Sequence, residues 1–331
     1  MTTLTDKTVL VTGASGFTGG ALARRLAAEG ARARALVRRP ERAGYIRDIA
    51  NIEIVQGDIT DAACLREIMQ GCVYVFHTAV SYGGWDEQHR VNVEGTRCVM
   101  EAAADAGVER VVHVSSMACY GYDRSGLLTE DFAVEPMPHE PYNASKVKAE
   151  YAVREVGAQR GLSYSIIRPG LIYGPRSGQW TDMMFQVAKM RPLMWIGDGS
   201  GTAYPIHVDD VVDMMLVLAT HPAAHNETFN CVCTPPSTWR AFIGAYARLV
   251  DNDSWVGLPV LPVILLARLI AFFSPPHTNA KDAHRALYGA IGKGYIDMRK
   301  ARDLLGWQPR IMLEEGIASC VPYLREKGLL E

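Results

Sequence analysis

The feature that most constrains this chain is a glycine turn near its start. Residues 8–12 (TVLVT) form a short β-branched run that stops at Gly13, and Gly13-Ala14-Ser15-Gly16-Phe17-Thr18-Gly19 leads into ALARRLAAEG, with Leu22 and Leu26 at i and i+4. That order predicts a strand, a tight turn and an amphipathic helix ending at Gly30. Glycines at such a turn let the chain bend sharply, let the backbone approach a pyrophosphate, and let the helix pack on the strand. The helix N-terminus offers free amides and a partial positive charge to phosphates. The turn reads as a dinucleotide site, with Gly13, Ser15, Gly16, Phe17, Thr18 and Gly19 as cofactor-binding residues.

The pattern then repeats. A second strand at 32–38 (RARALVR) is followed by IEIVQGD, a helix around 61–70, VYVFHTA, a helix around 89–106, RVVHVSS, a helix around 142–160, and YSIIRPG. Strands alternating with helices imply a parallel sheet with right-handed crossovers, and strands apolar on both faces imply helices covering both. The expected fold is α/β: a doubly wound parallel Rossmann sheet with a smaller, mostly C-terminal substrate lobe. Prolines and glycines cluster at 169–178, 192–205 and 257–276, where the rhythm loosens. PIHVDDVVDMMLVLA still reads as a strand-to-helix step and ETFNCV as a strand. The closing MRKARDLLGWQPRIMLEEGIASCVPYL reads as helix, loop, helix. The expected division is a dinucleotide-binding domain over 1–174, rejoined by 204–232, and a substrate lobe from 175–203 and 233–331. A length of 331 residues suits this plan.

The second strand ends in Leu36-Val37-Arg38-Arg39-Pro40, with no acid to accept from a ribose 2′-hydroxyl. A guanidinium there suits a 2′-phosphate, so Arg38 or Arg39 favours NADP over NAD. Lys+Arg 34 against Asp+Glu 36 gives a net charge of −2, which argues against a nucleic-acid partner. Cys64, Cys72, Cys98, Cys119, Cys231, Cys233 and Cys320 show no paired metal spacing and read as free thiols in a reducing compartment, with no metal. The N-terminus lacks a signal-peptide pattern. The most apolar stretch, 258–273 (LPVLPVILLARLIAFF), is short for a membrane span and interrupted by Pro259, Pro262 and Arg268. A cytoplasmic enzyme with a small-molecule substrate is expected.

Tyr142-Asn143-Ala144-Ser145-Lys146 opens a predicted helix, and its i, i+4 spacing sets Tyr142 and Lys146 on one face. An ammonium beside a phenol favours the phenolate and suits the pair to moving a proton at a substrate hydroxyl. Upstream, Ser115-Ser116 close the strand VVHVSS, at the edge where parallel sheets bind ligands.

Together these motifs resemble the extended short-chain dehydrogenase/reductase family over nearly the whole chain. The matches run in order: Gly13, Gly16 and Gly19; Gly57-Asp58-Ile59-Thr60-Asp61; His77-Thr78-Ala79; Asn92 with Gly95-Thr96; Ser115 to Gly121; Tyr142 and Lys146; Arg168-Pro169 through Tyr173-Gly174-Pro175; Gly197-Asp198-Gly199; His207 with Asp209-Asp210; and Lys300-Ala301, Leu305-Gly306-Trp307 and Pro309. The resemblance implies Tyr142 as general acid-base, Lys146 as holder of the nicotinamide ribose, and Ser116 as the group polarising the substrate oxygen. It places Asp58 and Ile59 at the adenine, and Thr78, Ala79, Val80, Ser115, Pro169 and Ile172 along the cofactor groove. It makes Asn92 a structural buried amide and Asp209 a strand-to-helix cap. It also implies a homodimer through the helices near 92–106 and 142–160.

The family includes dehydratases, epimerases, decarboxylases and dehydrogenases. Where dehydratases carry an acid pair, this chain has Met117-Ala118-Cys119, and neither Met nor Ala moves a proton. Nucleotide-sugar members usually carry an arginine four residues before the histidine of HVDD; here that position is Ala203, with Arg176 and Arg240 as compensating candidates. The later segments are rich in methionine and aromatics, which line adaptable apolar pockets. Ser81, Met117, Trp180, Met184 and Tyr204 are the candidate substrate contacts. The 258–273 stretch resembles that of the 3β-hydroxysteroid dehydrogenase and dihydroflavonol reductase branches, which implies a place near the substrate entrance and peripheral membrane contact. The expected activity is hydride transfer between NAD(P) and a ketone or secondary alcohol of a fairly apolar molecule, steroid-, flavonoid- or terpenoid-like. The alternatives are a nucleotide-sugar 4-epimerase with tightly held NAD, and a non-catalytic NADPH-sensing binder.

Overall fold

The computed structural model describes residues 4–121, 126–274 and 287–331. Pro275 and Pro276, the end of the last proline cluster, lie outside them. Seven strands form one sheet: β1 (Thr8–Thr12), β2 (Arg32–Val37), β3 (Ile52–Gln56), β4 (Tyr74–His77), β5 (Arg110–Val114), β6 (Ser163–Pro169) and β7 (Glu227–Cys231). Their spatial order is β3-β2-β1-β4-β5-β6-β7, and every pairing is parallel.

Alternating side chains divide the core in two. Val9 and Val11 of β1 point into one apolar cluster with Phe76, Val112 and Ile167; Leu10 points into the other with Val75, Val111 and Ile166. Helices cover both faces. α1 (Phe17–Ala28) places Leu22 and Leu26 on the first, beside Met214 and Leu218 of α5 (Val208–Thr220). On the second, α2 (Ala62–Ile68) adds Leu65, α3 (Gly95–Asp105) adds Val99 and Met100, and α4 (Pro141–Arg160) adds Val153 and Val156. Each fully buried Leu or Val contributes roughly 1.5–3 kcal/mol of transfer free energy.

The strand order reverses at β1, between β2 and β4, so a crevice opens at the C-terminal ends of these strands. The glycine turn, Thr78, Ser116 and Pro169 lie along this edge.

Three local expectations change. The helix expected around 89–106 opens with π-helical turns, His89–Glu94, before α3. The last expected helix divides into Leu313–Ser319 and Val321–Glu326, because Pro322 lacks an N–H and its ring crowds the preceding turn. The cap of α5 is His207, whose Nδ1 accepts from the Asp209 amide at 3.3 Å, and not the Asp209 side chain, which is exposed. Asp210 is buried instead and accepts from the amides of Arg310 and Ile311 at 3.0 and 3.1 Å.

The apolar stretch near 258–273 forms a strand, Trp255–Leu258, paired with Leu193–Ile196, and then α6 (Val260–Phe273). Fourteen residues give α6 about 21 Å of length. Among the described residues no helix is long and apolar enough to cross a membrane. Yet α6 holds Leu261, Phe272 and Phe273 at 73%, 80% and 76% exposure, with Leu265, Leu266 and Leu269 also open to solvent.

Candidate active site

The glycine turn closes against the end of β4. Gly13 has φ +69°, and a Cβ there would stand 2.8 Å from the Ala79 backbone; one at Gly19 would stand 2.5 Å from the Gly13 carbonyl and the Thr78 hydroxyl. Only glycine fits both. Thr78 Oγ1 donates to the Thr12 carbonyl at 2.6 Å, fixing β4 against β1. α1 starts at Gly16 without a capping side chain, so its first amides, from Phe17 onward, are presented to a ligand. Tyr45, missed in the sequence, props this turn: its hydroxyl donates to the Gly16 carbonyl at 2.8 Å, where any side chain at Gly20 would collide. A cavity of about 420 Å³ beside the turn is lined by Ser15, Gly16, Phe17, Tyr45 and Arg176, and on its far side by Tyr323, Glu326 and Lys327. The uncapped helix start and the glycine-only cradle fit a dinucleotide pyrophosphate.

The other groove residues fall on the same edge. Asp58 is half-buried and accepts from the amide and hydroxyl of Thr60, both at 2.9 Å, while Ile59 is buried beneath it. Thr78, Ala79 and Val80 are half-buried where β4 ends; Pro169 ends β6, and Ile172 lies just beyond. Arg38 is exposed at the end of β2. Ser115 differs from expectation. Its hydroxyl is buried and donates to Glu150 at 2.6 Å, so the side chain is committed to the protein interior.

Tyr142 stands in the first turn of α4, after Pro141, with the fixed φ that suits a helix start. Its hydroxyl is set beside those of Ser116 and Tyr82. Ser116 caps the turn Met117–Tyr120, its oxygen accepting from the Ala118 amide at 3.1 Å. Burial, with Tyr82 alongside, pushes the Tyr142 phenol well above its usual range, and the Ser116 hydroxyl opposes that. Lys146 lies one turn on, buried, with Nζ donating to the Val114 carbonyl at 2.8 Å. Burial lowers the ammonium to about 8, against the attraction of Cys119 and Glu150. The expected lowering of Tyr142 by Lys146 is therefore not the dominant effect here: the ammonium turns to a backbone carbonyl and desolvation prevails. Below these groups His77 of β4 is held neutral, at about 3, chiefly by burial; it bridges Thr12 at 2.8 Å and Thr96 at 2.9 Å.

A second missed group anchors α4. Glu150, fully buried, accepts from Arg168 twice at 2.8 Å, from Arg154 at 2.9 Å and from Ser115 at 2.6 Å. Arg168 also donates to the Tyr120 hydroxyl at 3.0 Å, Tyr120 donates to Asn230 of β7 at 2.7 Å, and Arg154 reaches Thr228 of β7 at 2.8 Å. Burial would raise the Glu150 carboxyl, but Arg168 prevails and holds it down to about 2. The signal was the spacing Tyr142, Lys146, Glu150 at i, i+4 and i+8.

The candidate substrate contacts divide. Trp180 is half-buried, its ring 6.2 Å from that of Trp239. Ser81 is buried and works within its own loop, donating to Glu87 at 2.7 Å while its amide donates to Asn92 at 2.7 Å. Met117 and Met184 are buried in the core, and Tyr204, 1% exposed, donates its hydroxyl to Gly294, so its ring has no face open to a ligand. Ala203 is equally sealed. Arg176 and Arg240 are stacked on Tyr45 and Trp255, at 3.9 and 4.2 Å from the ring centroids.

Comparison with known proteins agrees with this geometry. Residues 9–231 match the family model described as the NAD dependent epimerase/dehydratase family. The chain is 32% identical to a UDP-glucose 4-epimerase of Mycolicibacterium smegmatis, over 96% of this chain and 99% of that protein. It is 29% identical to a 4-hydroxy-2-methyl-3-oxo-4-farnesyl-3,4-dihydroquinoline-1-oxide ketoreductase of Stigmatella aurantiaca, over 96% of each. Among solved structures it is similar to the dTDP-glucose 4,6-dehydratase DesIV of Streptomyces venezuelae, which contains NAD, with TM-score 0.76, 25% identity, and coverage of 98% of this chain and 99% of that one.

Proposed function

We propose a reaction for a chain that belongs to the NAD dependent epimerase/dehydratase family: hydride transfer between a nicotinamide cofactor and a ketone or secondary alcohol of a fairly apolar molecule. Like its relatives, it is an NAD-dependent enzyme of the extended short-chain type. The observation that carries the reading is the meeting of the Tyr142 and Ser116 hydroxyls at the ligand-binding edge of the sheet, one helical turn from Lys146. When bound, the dinucleotide supplies or accepts the hydride at C4 of its nicotinamide. Tyr142 gives its proton to the substrate oxygen in reduction and takes it back in oxidation. Ser116 donates a hydrogen bond to the same oxygen and stabilises its developing charge. Lys146, Asp58, Ile59, Thr78, Ala79, Val80, Pro169 and Ile172 are assigned to the cofactor.

An apolar substrate is favoured by what the chain presents. The position that would grip a nucleotide diphosphate is a sealed Ala203, and Arg176 and Arg240 already lie against aromatic rings. The similar ketoreductase acts on a farnesylated ketone. The segments 175–203 and 233–331 are proposed to hold this substrate. The identity to a UDP-glucose 4-epimerase supports a second reading, epimerisation with retained NAD. One experiment separates them. Denatured protein is examined by mass spectrometry for released dinucleotide, and emptied protein is titrated with NADPH and NADH. The exchanging reductase predicts an empty protein that binds NADPH at least about tenfold more tightly, a preference erased in Arg38→Ala. Near-stoichiometric retained NAD would decide for the epimerase.

The reading extends to a membrane surface. α6 exposes a contiguous apolar face, has no acidic residue, and its one charge is Arg268. Such a helix suits the interfacial plane of an anionic bilayer, where an apolar substrate is stored. The protein is expected to co-sediment with phosphatidylglycerol vesicles. Leu265→Glu combined with Leu269→Glu should leave it in the supernatant; a wild type that stays there would refute the contact.

A further inference from the structure

Tyr82 belongs to no motif, yet it faces the reaction centre. Its ring stacks on that of Tyr142, with centroids 5.2 Å apart and planes 25° from parallel. The residue is otherwise 67% exposed at the mouth of the site. It is not placed by chance packing. On one side, the Ser81 amide donates to Asn92 at 2.7 Å and the Ser81 hydroxyl to Glu87 at 2.7 Å. On the other, the Gly83 amide donates to Ser81 at 3.2 Å and its carbonyl accepts from Gln88 at 2.7 Å. Asn92 in turn donates to Ser145, and Ser145 to Gln88, at 3.0 and 3.2 Å. Ser145 sits between Tyr142 and Lys146, so one buried network holds both the Tyr82 loop and the catalytic turn of α4.

We propose that Tyr82 is a specificity-determining residue of this centre: its ring is the wall against which a flat substrate lies. This rests on the hydride-transfer reading above. In reduction the Tyr142 O–H bond breaks as the substrate O–H forms, the hydride comes from the nicotinamide, and the negative charge stays on the Tyr142 oxygen.

The test compares Tyr82→Phe, which keeps the ring, with Tyr82→Leu, which removes it. NADPH oxidation is followed with a ketone panel including 1-tetralone (flat) and 2-octanone (acyclic). Tyr82→Leu is expected to raise KM for 1-tetralone about fivefold and KM for 2-octanone by less than about twofold, the loss of one aromatic face. Tyr82→Phe, which keeps that face, should leave the ratio of the two KM values unchanged. A Tyr82→Leu enzyme with the wild-type ratio would overturn the proposal. A second readout needs no turnover. Binding of 1-tetralone to protein loaded with NADP, followed by calorimetry, should weaken in Tyr82→Leu and hold in Tyr82→Phe. Equal affinity in Tyr82→Leu overturns the role of Tyr82; a wild type that binds 1-tetralone in this way but reduces no ketone overturns the hydride-transfer reading alone.

Discussion

Replacing Tyr142 by phenylalanine is expected to lower turnover by ~10²–10⁴-fold, the range of a lost general acid-base, while NADPH affinity stays within about twofold. The ring survives the change, so its stacking on Tyr82 and the start of α4 at Pro141 are retained. What disappears is the one hydroxyl set beside both Ser116 and Tyr82. The cofactor turn lies on other elements, the end of β1 and the start of α1, and does not depend on that oxygen. Steady-state rates and fluorescence titration of NADPH check the two halves. Turnover near that of the wild type would refute the assignment of Tyr142, and a parallel loss of NADPH binding would refute the separation of the sites.

Replacing Glu150 by alanine is expected to cost ~3–5 kcal/mol of stability, the penalty for removing one partner of a buried ion pair. Arg168, 1% exposed, would keep its charge with no carboxylate near it, and Arg154 and Ser115 would lose an acceptor as well. Glu150→Gln, which keeps the shape and part of the hydrogen bonding, should lose less. Urea unfolding measures both, and a loss below about 1 kcal/mol for Glu150→Ala would count against the network. The sign of the pH effect follows from the depressed carboxyl. Its folded value is about 2 against an ordinary 4.5, so the ion pair's contribution is fully present above about pH 4.5 and is lost as pH falls toward 2. The stability gap between wild type and Glu150→Gln should close over that acid window.

How much of this was legible depended on the range of the interactions. The glycine turn, the β-branched strands and the Tyr142–Lys146 spacing are local patterns, and local patterns survive into the fold because backbone sterics and side-chain periodicity write them directly. Glu150 stood in the same helical series but needed Arg168, eighteen positions on and on another strand, before its burial made sense. Tyr82 was invisible, because a loop side chain points where its clamps send it, and those clamps are Asn92, Glu87 and Gln88. Tyr204 and Met184 show the opposite error: an aromatic or a methionine looks the same in a sequence whether it lines a pocket or fills a core. His207 took the cap expected of Asp209 because a ring nitrogen at a strand end can accept an amide as well as a carboxylate does.

The seventh strand has a consequence for how the enzyme comes into being. During synthesis the glycine turn, Tyr142 and Lys146 all leave the ribosome well before residue 227, so the cofactor half of the sheet can take shape while the chain is still growing. Thr228 and Asn230, the partners of Arg154 and Tyr120, do not yet exist at that stage. Until β7 is added beside β6, the charged cluster behind the catalytic helix has one side open to water. The nascent protein therefore possesses Ser116, Tyr142 and Lys146 long before it possesses the interior that holds them still, and that interior waits on the seventh strand of the sheet.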